Sequence, residues 1–141
     1  LMLPKSVGKT QTLYDAHPLA PAIITENVGT TLTLTALVNM NASDRGPARW
    51  ALTSRVVKRI PNTHDTVGTK VPVVAVGGQR STRDKHTWQV ITPMPIAWAT
   101  PDTKEVSRAR ATIPQDQWQR LEKARKDSEL VTAAKNTLVE L

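Results

Sequence analysis

Three features of the sequence predict an α+β fold. Short β-type segments separated by turn signals run from about residue 22 to residue 113, two helix-patterned segments fill residues 115–140, and Lys and Arg crowd into the β portion. A strand-rich body followed by helices folds as an antiparallel sheet with the helices on one face, leaving the other open. The expected elements are an N-terminal hairpin, an antiparallel sheet of about five strands and two C-terminal helices on one face. An open sheet face bearing cations suits a large anionic partner, nucleic acid first among them.

Residues 1–20, punctuated by Pro4, Gly8 and Pro18, read as an N-terminal arm in which only residues 10–14 could form a short strand. Residues 21–141 read as one domain. Residues 22–37 predict a hairpin: Leu32, Leu34 and Ala36 alternate with Thr31, Thr33 and Thr35, the period of a half-buried strand. Asn27 to Gly29 supplies its turn. Residues 49–60 predict a long strand, and residues 70–76 another, with Pro72 marking an edge or a bulge. Residues 77–84 form a basic turn. Residues 85–92 read as a strand with His86, Trp88 and Val90 on one face and Lys85, Thr87 and Gln89 on the other. Residues 93–102 form a three-proline loop whose apolar Ile96 and Trp98 dock on a neighbouring molecule or fold back on their own core. Residues 105–113 read as the last strand, with Arg108 and Arg110 projecting from one face about 6–7 Å apart, near the spacing of successive phosphates. Pro114 opens a helix whose stripe is Trp118, Leu121 and Ala124. Asp127 or Ser128 caps a second helix with the stripe Leu130, Val131, Ala134 and Leu138.

Hydrophobic residues make up 39% of the 141, with no Phe and four Trp, below the usual 45–50% of globular domains, a figure that also counts Gly. This thin apolar supply suggests that part of the burial comes from a second copy. The formal charge is +7 and the pI about 10.2; residues 45–110 alone hold twelve Lys/Arg against four Asp/Glu. Such a balance favours phosphate backbones through counterion release, and also describes a merely solvated basic surface.

The absence of cysteine excludes disulfides and thiolate metal sites. No apolar run approaches the ~18 residues of a membrane span, so no membrane partner is expected. His17, His64 and His86 share no metal-ligand spacing, Gly77-Gly78 lacks a phosphate-loop ending, and no nucleophile elbow occurs. No catalytic function and no cofactor are expected.

Several segments resemble the coat proteins of the small single-stranded RNA bacteriophages, the leviviruses. They are the hairpin with its Glu26-Asn27-Val28-Gly29 turn, the Gly46-Pro-Ala-Arg-Trp50 entry to the sheet, residues 83–93 ending at a proline, Ala111-Thr-Ile-Pro114, and Asp127-Ser-Glu-Leu-Val131. The resemblance implies an interlocked dimer with one continuous sheet, in which each subunit's helices cross the partner, and a shell packaging RNA inside. On that reading Lys85, Thr87, Gln89, Arg108 and Arg110 contact RNA. Ile96 and Trp98 join dimers, and Leu130, Val131, Ala134 and Leu138 form the dimer interface. The expected partners are further copies of the chain and single-stranded RNA. The expected location is the virion, assembled in the bacterial cytoplasm. The alternative function is a cellular single-strand nucleic-acid-binding β domain; a small enzyme comes third.

Overall fold

Strand β1 (Leu19–Asn27) turns back into β2 (Leu32–Asn39) as the turn residues require. Gly29 adopts φ 93°, which side-chain-bearing residues resist, and its N–H donates to Asn27 Oδ1 at 2.8 Å. The computed structural model describes residues 18–41, 48–58, 60, 65–78, 87–88, 90–98, 102–135 and 138–141. Strands β3 (Trp50–Val57), β4 (Lys70–Gly77) and β5 (Ile91–Pro95) follow. A 3-10 turn (Ile96–Trp98) leads to helices α1 (Thr103–Thr112), α2 (Gln115–Arg125) and α3 (Ser128–Ala134), then to strand β6 (Val139–Glu140). The α+β class expected from sequence is therefore present, with six strands and three helices among the described residues.

The strands form one sheet in the order β5-β4-β1-β2-β3-β6, every pairing antiparallel. The sheet curls until β3 lies beside β5. Thr53 Oγ1 donates to the Ile91 carbonyl at 3.3 Å, and Arg55 Nη1 to the Pro93 carbonyl at 3.1 Å. Both pairs advance two residues together, so β3 and β5 run in the same direction across this seam. The reason no ladder zips it lies in β5. Residues 91, 93 and 95 share one backbone edge, and Pro93 and Pro95 have no N–H to offer. Side chains from β3 therefore reach the carbonyls instead.

Inside the curl pack Ala22, Ile24, Leu34, Ala36, Val71 and Val73. Outside it, Ile23, Leu37 and Leu52 are covered by Trp118, Leu121 and Ile113 of the helical segment. Burying each such large side chain contributes about 1.5–3 kcal/mol. This two-sided cover explains a departure from expectation. Leu32–Val38 is buried throughout, Thr35 included, although its alternation suggested a strand with one wet face. Thr35 tolerates this because its hydroxyl bonds those of Thr25 (3.0 Å) and Ser54 (2.9 Å).

Pro72 marks neither an edge nor a bulge. It faces Pro21 in the β1–β4 pair, just beyond the last β4–β5 and β1–β2 partners, so neither missing N–H removes a ladder bond. The largest correction concerns residues 105–113, expected as the last strand. Residues 105–112 belong to α1 and Ile113 caps its end, with Asp102 as N-cap accepting from the Lys104 N–H at 2.9 Å. Arg108 and Arg110 therefore do not share a strand face. Of the expected strand 85–92, residues 85, 86 and 89 lie outside the described residues; Thr87 forms an isolated bridge with Asn41, and Ile91 and Thr92 belong to β5. The expected proline loop is part strand, part 3-10 turn, with Ile96 fully buried against Val74 and Ala109. The strand suggested at residues 10–14 lies outside the described residues.

Candidate functional site

Lys70 opens β4 on the helix-covered face, opposite Ile23 of β1. Above it α1 ends and α2 begins, joined at Ile113 and Pro114. Trp118, buried on α2, fixes this corner in two ways. Its indole N–H donates to the Arg110 carbonyl at 3.3 Å, tying down the last turn of α1. The Lys70 ammonium lies over its ring, 5.6 Å from the centroid, an attraction between cation and π-face. On α1, Ser107, Arg110 and Ala111 fall at i, i+3 and i+4, on one helix face.

These residues, with Ile113, Pro114 and Gln115, line a groove of about 430 Å³. Among the described residues no carboxylate lines it. Among the described residues four cations are ion-paired, Arg49 with Glu140 (2.9 Å), Arg108 with Glu105 (2.8 Å), Lys135 with Glu26 (2.7 Å) and Arg125 with Glu122, while others, Arg120 and Lys123 among them, are not. Lys70 and Arg110 make no ion pair among the described residues. Two uncompensated cations beside a hydroxyl and an amide can hold an anion. A second groove, about 380 Å³, follows the β3–β5 seam beneath Ala134 and Leu138. The described residues hold no cluster of three or more His, Cys, Asp or Glu able to bind a metal, and all three histidines lie outside them. No described helix is long and apolar enough to cross a membrane.

The chain matches, over residues 5–129, a family described as "Protein of unknown function (DUF3239)". The chain belongs to this family. It is also similar to a crystal structure from Corynebacterium diphtheriae, described as that of a "putative membrane protein", at 44% identity and a TM-score of 0.79. The match covers 87% of this chain and 99% of that one. No curated protein matches the chain.

DUF3239 membership and the bacterial structural match overturn the levivirus resemblance, and with it the capsid role and the virion location. The physical reason is in α1: where the coat-protein reading requires a strand bearing Arg108 and Arg110, this family member has a helix.

Of the residues expected to contact RNA, the three that are described, Thr87, Arg108 and Arg110, do not line one surface. Thr87 is buried at the bridge with Asn41, and Lys85 and Gln89 lie outside the described residues. Arg108 is engaged with Glu105, and Arg110 alone joins the groove. Trp98, expected at a contact between dimers, is stacked under the Arg55 guanidinium at 4.8 Å. Of the residues assigned to a dimer interface, Ala134 is buried in the chain's own core and Leu130 packs against that cluster. Leu138 packs on the interior of the curl, while Val131 is half-buried. Sequence reading missed Lys70, and took Trp118 only as part of an apolar stripe. The available signal was that a buried Trp needs a partner for its N–H.

Proposed function

We propose that the chain is a non-catalytic binding module that holds an anionic partner in the Lys70–Arg110 groove. The observation that carries this reading is that two cations without an ion pair among the described residues line one groove, with no described carboxylate on its walls. The description of the Corynebacterium diphtheriae protein supports placing the module in a bacterial membrane protein. Its own apolar faces are buried against each other, which suits a portion folded outside the bilayer.

The test is binding of heparin, a generic polyanion, across a salt series, by wild type and by the Lys70→Ala, Arg110→Ala double variant. Loss of these cations should weaken binding and flatten its salt dependence by about one to two counterions' worth of slope. An unchanged slope places the anionic partner elsewhere.

The strand connectivity favours a second reading. Five strands closing through β3 and β5 make a partly open Greek-key barrel, the architecture on which oligonucleotide-binding OB-folds are built. Such modules place ligand on the outer face of the second and third strands. Here Leu37 and Leu52 on that face lie under Trp118 and Leu121. The less covered remainder carries half-buried Ser54 and exposed Val56 rather than stacking aromatics. The groove reading is therefore preferred.

A further inference from the structure

We infer that the group held in the groove is a terminal phosphoryl group, a phosphomonoester or pyrophosphate end, rather than a carboxylate or a sulfate. This rests on the anion-binding reading above and goes beyond it by naming the ligand's chemistry.

The argument is one of charge and donor count. Lys70 and Arg110 supply two positive charges that no described carboxylate offsets. A carboxylate or sulfate monoester would cancel one of them. A phosphomonoester carries about −1.5 to −2 at neutral pH and three acceptor oxygens. The donors come from three elements, so they can surround a tetrahedral group: the Lys70 ammonium from β4, the Arg110 guanidinium and Ser107 hydroxyl from α1, and the Gln115 amide from the start of α2. Arg supplies a planar fork matched to two phosphoryl oxygens, and Lys a movable point charge for a third. Asp116, the acidic residue of the first turn of α2, is exposed and does not line the groove.

The position of the Lys70 ammonium and of the backbone that carries Arg110 is also built rather than incidental. Trp118 contacts both arms of the site, through its ring to Lys70 and through its N–H to the turn carrying Arg110. A ligand there meets an ammonium already held over the ring, while the exposed Arg110 side chain closes on it from a turn that is tied down.

The experiment compares phenyl phosphate, phenyl sulfate and benzoate, three anions on one aromatic body, at about pH 8, where the phosphate is fully dianionic. Binding is followed by the NMR shift of the Trp118 indole N–H. Phenyl phosphate should bind about tenfold or more tightly than the other two, a difference of about 1.4 kcal/mol. Lys70→Ala and Arg110→Ala should each remove that preference. Lys123→Ala, on the exposed side of α2, should leave it intact. Circular dichroism of each variant confirms that the fold survives. Equal affinity for the three anions, or no binding of any, overturns the inference. If heparin binding still depends on the two cations in that case, the anion-binding reading stands without it.

A second arm separates the sources of the phosphoryl group. Co-sedimentation with phosphatidylcholine vesicles, with and without phosphatidic acid, asks whether the phosphomonoester is a lipid headgroup. Binding to phosphatidic acid that phenyl phosphate competes away assigns it to lipid. Binding of phenyl phosphate alone assigns it to a soluble ligand. Either result upholds the phosphoryl assignment.

Discussion

Glu140, in the two-residue strand β6, accepts the Arg49 Nε and Nη2 at 2.9 Å each, a two-pronged charged pair beside the β3–β6 pairing. The hydrogen bond from Arg49 holds the Glu140 carboxyl below its usual range. Desolvation opposes this in part, and the positive charge of Arg49 reinforces it. A carboxylate whose folded value is lowered contributes stability that is present above its unfolded value and lost as pH falls through the folded one. The hold of Arg49 on β6 should therefore weaken only below the ordinary glutamate range. NMR titration of the Glu140 side chain should give a lower midpoint in wild type than in Arg49→Gln; identical midpoints would show that the pair contributes nothing in solution. Gly77 sets a second constraint at this scale. A Cβ there would fall 2.4 Å from the Trp88 ring, too close for any real contact. Gly77→Ala must displace an indole that packs on the interior of the curl, and should cost about 1–3 kcal/mol in chemical denaturation.

At the level of elements, α2 is held by its apolar stripe. Leu121 is fully buried against the sheet, so Leu121→Ala should lower stability by about 2–5 kcal/mol, read from the urea midpoint. Helix α3 has seven residues, too short to stand on propensity, and depends on Asp127 accepting from the Glu129 and Leu130 N–H groups. Asp127→Ala should cost about 1 kcal/mol. Both features were legible in the sequence because stripe and cap are local signals. The hairpin was legible for the same reason, its turn chemistry and alternation lying within a few residues. Helix α1 was misread because Val106, Arg108, Arg110 and Thr112 alternate with smaller residues and mimic a strand. A better signal was present. Asp102 stands three residues before Glu105, the spacing of an N-cap and its third helical residue. The buried set Glu105, Ala109 and Ile113 recurs every four residues. The groove was half legible: Arg110 was picked out for its charge, but Lys70 reaches it only through sheet register and the packing of Trp118, which no local pattern encodes.

For the whole molecule, the decisive feature is the seam where β3 meets β5, because there the sheet closes without a backbone ladder. Thr53 and Arg55 make the two bonds that bring the edges together. Arg55 is the more heavily used, since its guanidinium also lies over Trp98 at 4.8 Å. Arg55→Met keeps most of the aliphatic stem but removes both the donor to Pro93 and the cation over the ring. A charged or partly buried hydrogen bond of this kind is worth about 1.5–3 kcal/mol, and the stacking about 0.5–2 kcal/mol. The two share one side chain, so their losses should not simply add. A double-mutant cycle with Trp98→Leu isolates the stacking: a coupling near zero would mean that Arg55 acts through Pro93 alone. The loss should also be local. Removing the staple frees β5 and the segment leading into α1, while β1 and β2, paired on both sides, keep their ladders. Amide exchange should therefore quicken at Thr92 and Met94 in Arg55→Met and remain slow at Ile23 and Leu34. Uniform acceleration across the sheet would instead make the seam part of the global folding unit. In that case curling and helix docking form one cooperative step, and the groove at Lys70 could not assemble before the seam has closed.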